Sequence, residues 1–276
     1  MTKHPKIGVF DSGVGGLTVL KSLIKILPNE PYLYLGDSAN LPYGNKSIEM
    51  IEKQSLKIVK WFIETQNVKC LIIACNTASA VFYETLENKI KKSGWYTDVP
   101  IFGVINPIIN QIKNNQYRKI AIIGTERTIA SNSYKKVIKS YDKSIEVIQK
   151  SCPLFVPMIE EGLINQNLTM EIIDLYLKPF KNINIDAIVL GCTHYPIIAN
   201  QIKEYFDRKI DIIDTGESVA NEVKVFINSM KSPQNIQKPT IKILSTDITT
   251  NFHQMVTKIL KIESIKIDKI NFNGSN

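Results

Sequence analysis

No stretch of this 276-residue chain is apolar for long enough to cross a bilayer, so no membrane span is expected. Its first residues, MTKHPKIGVF, show neither the hydrophobic segment nor the cleavage site of a secretion signal. Four cysteines are too few for a disulfide scaffold at this length, and without an export signal they are expected as reduced thiols in a cytoplasmic protein. Arginine is scarce as well. The net charge of +8 comes almost wholly from lysine, with arginine only at Arg118, Arg127 and Arg208. The lysines are scattered among helical stretches, and no RRM, helix-turn-helix or zinc-knuckle pattern accompanies them, so no nucleic-acid partner is expected. Low-complexity sequence is missing too; only Ser232–Lys238 and the Asn-rich C-terminus are loosely composed.

What is present is a regular alternation of short apolar runs and amphipathic stretches. At 44% hydrophobic content the chain can fill two α/β cores of ordinary size. Runs such as Lys6–Phe10, Tyr32–Gly36, Lys119–Ile123 and Ile241–Ser245 read as strands buried on both faces. Between them, Leu17, Leu20, Leu23, Ile24 and Leu27 recur at helical spacing, and Ser47 is placed to cap a long helix reaching about Thr65. A helix is expected from the Cys75 strand to near Gly94, others at Thr169–Phe180 and Pro196–Phe206, and a last strand near Ile265–Ile267. Two prolines make a continuous element across CPLFVPMIEEG unexpected. The alternation predicts parallel sheets covered by helices.

Two stretches stand out. KCLIIACNTASA (Lys69–Ala80) is an apolar run that ends on Cys75 and turns polar through Asn76, Thr77 and Ser79. DAIVLGCTHYP (Asp186–Pro196) is another, ending on Cys192 before Thr193 and His194. The two cysteines lie 117 residues apart, and KIGVF and KIAII match at an offset of 113. Similar offsets predict two related lobes, each a mainly parallel sheet flanked by helices, with the site between them. The expected first lobe is 1–101 plus 214–276, and the second 102–213. A cysteine at a strand's carboxyl end sits where open α/β folds hold ligands, beside helix N–H groups that favour thiolate.

Other polar residues also follow the apolar runs: Asp11-Ser12, Asp37-Ser38, Thr125 with Thr128, and Asp214-Thr215. Gly13, Gly15 and Gly16 fit close helix–strand packing better than a phosphate cradle, because GVGG lacks the third glycine of GxGxxG and the lysine of a P-loop. Cys70 and Cys152 read as small buried hydrophobes. A zinc site of Cys75, Cys192 and His194 is disfavoured by the tight CTH spacing, so no metal is expected. A Cys–His–Asp hydrolase would leave the mirrored cysteine idle. Two thiols facing across a polar cleft suit inversion of a carbon bearing an acidic hydrogen: one thiolate takes the proton and the opposite thiol returns one. Thiols serve because their ordinary pKa of about 8.5 lets one be ionised and the other protonated near neutrality. Asp11 and His194 are the expected tuning groups, one per side.

FDSGVGGLTVL, YLGDSANLPYG, IACNTASA, CPLFVPMIEEG and GCTHYP, in this order over nearly the whole chain, resemble the glutamate racemases of the cofactor-independent aspartate/glutamate racemase superfamily. The resemblance implies interconversion of L- and D-glutamate for peptidoglycan synthesis without cofactor. By position it makes Cys75 the base acting on D-glutamate and Cys192 the base acting on L-glutamate. Asp11 and His194 assist, with Glu160 as a further candidate on the His194 side. Substrate contacts fall on Asp11, Ser12, Tyr43, Gly44, Asn76, Thr77, Thr193 and His194, with Thr128 helping. GTERT departs from the family pattern, since Arg127 stands where glycine is usual. The early first strand also implies none of the N-terminal extension through which some members are activated. The expected partner is glutamate, and a homodimer stays open as the assembly. An aspartate racemase, another two-cysteine isomerase, and a non-catalytic two-lobed amino-acid binder stay open beside this reading.

Overall fold

The computed structural model describes residues 5–83, 85–86, 98–164, 167–230, 240–262 and 264–272. The apolar runs form ten strands among the described residues: β1 (Lys6–Asp11), β2 (Tyr32–Gly36), β3 (Val68–Ile73), β4 (Ile101–Gly103), β5 (Lys119–Gly124), β6 (Glu146–Ser151), β7 (Ala187–Gly191), β8 (Asp211–Asp214), β9 (Ile241–Ser245) and β10 (Ile267–Lys269). They make two sheets, ordered β10-β9-β2-β1-β3-β4 and β6-β5-β7-β8, and every ladder is parallel. Parallel strands need both faces covered, which explains why β2 and β7 are buried along their whole length.

The two sheets repeat one winding. Strands β2-β1-β3-β4 stand in the same order as β6-β5-β7-β8, so the KIGVF/KIAII match pairs β1 with β5 and sets β3 against β7. The C-terminal strands extend the first sheet, β9 pairing with β2. The expected lobe boundary between 101 and 102 falls inside β4, whose residues all pair with β3 of the larger sheet.

Helices follow the strands. After β1, α1 (Leu17–Ile26) buries Leu17, Leu20 and Leu23, each worth about 1.5–3 kcal/mol when fully removed from water. Helix α2 (Ile48–Thr65) starts where Ser47 Oγ accepts from the Met50 N–H at 3.2 Å, and buries Ile51, Ile58, Val59 and Phe62. After β3 comes the single turn α3 (Asn76–Ala78), continued by a wider turn over Ser79–Tyr83. The expected end of that helix, near Gly94, lies outside the described residues, as does Ser232–Lys238.

In the second lobe α4 (Ile108–Asn115), α5 (Glu126–Ala130), α6 (Ser133–Tyr141), α7 (Phe155–Glu160), α8 (Asn167–Lys181) and α9 (Ala199–Tyr205) surround the smaller sheet. Helix α10 (Thr215–Ser229) then returns to pack on α1, joined there by α11 (Thr250–Leu260). One apolar core runs from Ile7, Leu17 and Leu20 through Val219 and Val223 to Leu190 and Cys192, so the lobes share buried surface.

As expected, no continuous element runs across CPLFVPMIEEG: α7 covers only Phe155–Glu160, and it tolerates Pro157 in its first turn, where a missing N–H breaks no intrahelical bond. Two expectations need correction. The segment expected as one helix from Pro196 begins as a tight 3-10 turn, Tyr195–Ile198, before α9. The last strand lies two residues beyond the expected Ile265–Ile267.

Candidate active site

Equivalent strand ends carry the two thiols. Cys192 directly follows β7, and Cys75 follows β3 after one residue; both are buried and unbridged. Around them the carboxyl-end loops of the two lobes interlock. Thr18 on α1 donates from Oγ1 to the Thr193 carbonyl at 2.8 Å, and Thr193 Oγ1 donates to Asp11 Oδ1 at 3.4 Å. Thr77 Oγ1 lies 3.0 Å from Thr125 Oγ1 and 3.3 Å from Thr128 Oγ1, which are themselves 2.9 Å apart, a triangle of hydroxyls across the seam. Ser133 Oγ donates to the Ala80 carbonyl at 2.7 Å.

Glycines make that approach feasible. A Cβ at Gly15 would overlap Thr193 Oγ1 and come within 2.5 Å of His194 Nδ1, and one at Gly44 would stand 3.0 Å from Thr125 Cβ. The GVGG loop therefore serves close packing, here between lobes.

On the Cys75 side the sulfur caps α3, accepting from the Ala78 N–H at 3.5 Å, and its S–H reaches Ser12 Oγ at 3.5 Å. The Ala78 N–H favours the thiolate, as expected of a helix N-terminus, but does not decide the outcome. Burial, followed by the nearby Asp11 carboxylate, outweighs the Ser12 and Ala78 bonds and pushes the Cys75 pKa up to about 12. Asp11 is fully buried, and burial raises its own pKa against the pull of His194 and the Gly16, Gly13 and Thr193 bonds. Its Oδ2 accepts from the Gly13 N–H at 3.0 Å.

The Cys192 side has the opposite character. His194 Nδ1 lies 3.8 Å from Cys192 Sγ, and Nε2 lies 3.0 Å from Glu160 Oε1 at the end of α7. Burial alone would keep the imidazole neutral, but Cys192 and Glu160 flank it with hydrogen bonds and negative charge and raise its pKa to about 10. The Cys75 thiol is thus held protonated, whereas on the other side His194 is stabilised as the cation between Cys192 and Glu160.

Asn76 donates from Nδ2 to Tyr134 Oη at 2.6 Å and to Thr215 Oγ1 at 3.2 Å, while its Oδ1 is buried without a partner. Tyr43 is buried, and its hydroxyl donates to Asp37 Oδ2 at 2.7 Å. Asp37 Oδ1 also accepts from Thr246 Oγ1 at 2.9 Å and Asn40 Nδ2 at 3.0 Å, which ties the loop to β9. Arg127 lies within α5, capped by Thr125, and has no positive φ; glycine is not required there.

Sequence reading gathered Asp11, Ser12, Asn76, Thr77, Thr128, Thr193, His194 and Glu160, and the structure brings these together around the two thiols. It missed Thr18 and Tyr134, which sit in helices where a hydroxyl reads as part of an ordinary packed face. Among the described residues no group of three or more His, Cys, Asp or Glu side chains is arranged to hold a metal ion, and no helix is long and apolar enough to cross a membrane.

Two like-wound lobes that each present a buried thiol at the same strand end define a two-lobed, paired-thiol α/β class. Within it the chain belongs to the Asp/Glu/hydantoin racemase family, whose model matches residues 7–223. It is 45% identical to the glutamate racemase of Thermoanaerobacter pseudethanolicus over 80% of each chain, and 37% identical to that of Sulfurihydrogenibium sp. over 96% of each. A crystal structure of the Francisella tularensis glutamate racemase in complex with D-glutamate superposes with a TM-score of 0.88 at 34% identity, covering 98% of this chain and 99% of that one.

Proposed function

We infer that this chain interconverts L-glutamate and D-glutamate by exchanging the Cα proton between Cys75 and Cys192. The observation that carries this is the pair of buried thiols at equivalent ends of β3 and β7, in a chain 45% identical to a glutamate racemase. The cationic His194 beside Cys192 and the held thiol at Cys75 suit the L-to-D direction. Cys192 takes the Cα proton from L-glutamate, and Cys75 gives its S–H proton to the opposite face. Removing D-glutamate's proton requires the reverse charging, with Cys75 ionised. General acid–base steps of this kind are typically worth about 10²–10⁴-fold each.

His194, stabilised as a cation by Cys192 and Glu160, is placed to offset negative charge on the Cys192 sulfur as the proton moves. Burial, with the Asp11 carboxylate beside it, keeps the Cys75 sulfur protonated until substrate arrives. Ser12, the Tyr43–Gly44 backbone, Asn76, Thr77, Thr128 and Thr193 are proposed to hold the substrate's carboxylates and ammonium. We place the enzyme in the cytoplasm on the reduced state expected of its thiols, where its product D-glutamate serves peptidoglycan synthesis. Circular dichroism of L-glutamate with purified protein tests the reading: the signal should decay toward zero as a racemate forms. A folded protein that leaves it unchanged contradicts the assignment.

A further inference from the structure

We propose that Tyr134 is a positioning residue for this reaction, acting through Asn76 to aim the amide oxygen at the substrate's ammonium group. The inference rests on the glutamate reading above and assigns a role to a side chain on the far lobe.

Tyr134 is fully buried on α6, and its hydroxyl meets Asn76 Nδ2 at 2.6 Å. Thr215, the first residue of α10, meets the same amide nitrogen. Thr215 Oγ1 in turn reaches the Leu190 carbonyl at 3.5 Å and accepts from Asn76 Nδ2 at 3.2 Å. Counting protons fixes the arrangement. A backbone carbonyl can only accept, so Thr215 donates its proton to Leu190 and its oxygen accepts from Asn76 Nδ2. Tyr134 and Thr215 thus both face the NH2 end of the amide as acceptors. The flipped amide would oppose its oxygen to Thr215 Oγ1, whose proton is already used on Leu190.

The amide oxygen is therefore left facing away from this cluster. It is buried and has no partner, a costly state for an acceptor. Asn76 adjoins Cys75, and ionised glutamate carries one donor group, the ammonium on the carbon whose proton moves. Pairing Oδ1 with that ammonium supplies the missing donor and fixes Cα relative to the Cys75 sulfur. The cluster also spans the lobes, since Asn76 follows β3 while Tyr134 follows β5. It thus relates the Cys75 turn to the lobe that bears Cys192.

The test is a double-mutant cycle of Tyr134→Phe and Asn76→Ala, read as kcat and KM for L-glutamate. Glutarate, which lacks the amine, serves as a competitive inhibitor alongside. Tyr134→Phe should lower kcat/KM by about tenfold, the worth of one hydrogen bond. In the Asn76→Ala background it should cost nothing further, because the residue through which it acts is gone. Its inhibition constant for glutarate should match the wild type, since only recognition of the amine is affected. Additive losses, or equal weakening of glutamate and glutarate, would overturn the proposal, and so would wild-type kinetics. If Tyr134→Phe does not fold, Thr215→Val removes the other hydroxyl and takes its place in the same cycle. A wild type that does not turn over glutamate at all would instead count against the substrate reading itself.

Discussion

Gly15 lies against Thr193 with no room for a single added carbon: a Cβ at position 15 would overlap Thr193 Oγ1. The two residues belong to different lobes, so this contact, together with the Thr18 hydroxyl on the Thr193 carbonyl, sets how closely the Cys192 turn approaches Asp11. Gly15→Ala should displace Thr193 and His194 together. We expect a loss of roughly 1–3 kcal/mol in stability, the usual cost of overpacking. Racemisation should fall by at least about a hundredfold, since misplacing a reacting group by an ångström costs that much. Urea unfolding and circular dichroism kinetics measure the two effects, and near-normal turnover would show that the approach does not matter.

The four cysteines should separate into two classes. Changing Cys75 or Cys192 to alanine should each reduce turnover by at least about 10²–10⁴-fold, as expected when an acid–base group is lost. Cys70 and Cys152 are buried in apolar surroundings that raise their pKa values, Cys70 to about 12, and their alanine variants should racemise glutamate within a fewfold of wild type. A Cys75→Ala enzyme with normal turnover would remove one base from the scheme.

The parallel sheets were legible from the apolar runs, and the doubled architecture from the spacing of KIGVF and KIAII. The site's membership was legible as well, because strand-end polar residues converge in parallel sheets. The charge states were not. Proximity to helix N–H groups suggested an easily ionised Cys75, whereas the neighbouring Asp11 comes from β1, a strand distant in sequence, and its carboxylate together with burial decides the outcome. Tyr134 was hidden for the same reason: its partner Asn76 is 58 residues away. The start of α7 was not legible, because a proline's effect depends on its position within the turn, which sequence alone did not locate.

The His194 pair gives a pH dependence of definite sign. Its pKa is raised from 6.5 to about 10, so the folded protein holds a proton that the unfolded chain releases above pH 6.5. The stabilisation is complete below pH 6.5 and is lost as pH rises through that window. Between pH 6.5 and about 8, below the ordinary thiol pKa of about 8.5, stability should decline with pH in the wild type and decline less in Glu160→Gln, which has lost one of the partners raising His194. Urea midpoints across this range check it; a Glu160→Gln slope equal to the wild type would exclude Glu160 from the pair's energetics.

Substrate length should be read closely. The site residues offer hydroxyls, amides and backbone groups on strand ends, fixed in depth by contacts such as Thr77 to Thr125. Aspartate is one methylene shorter and cannot satisfy the distal donors with Cα between the thiols. Each unpaired group costs about 1–3 kcal/mol, and two such losses give a preference for glutamate of about a hundredfold or more in kcat/KM. Parallel assays with L-aspartate measure it, and equal turnover would move the specificity while leaving the thiol pair in place.

The central claim is that two groups on opposite faces of Cα handle the proton, and solvent deuterium reads this directly. L-glutamate is incubated with the enzyme in D2O and sampled by NMR and chiral analysis before a tenth of it has reacted. The account predicts that newly formed D-glutamate carries deuterium at Cα in nearly every molecule, because the thiol that protonates it has exchanged with solvent, while unreacted L-glutamate still carries protium. Early D-glutamate that keeps the original Cα hydrogen would mean one group removes and returns the same proton, and would contradict the two-thiol mechanism.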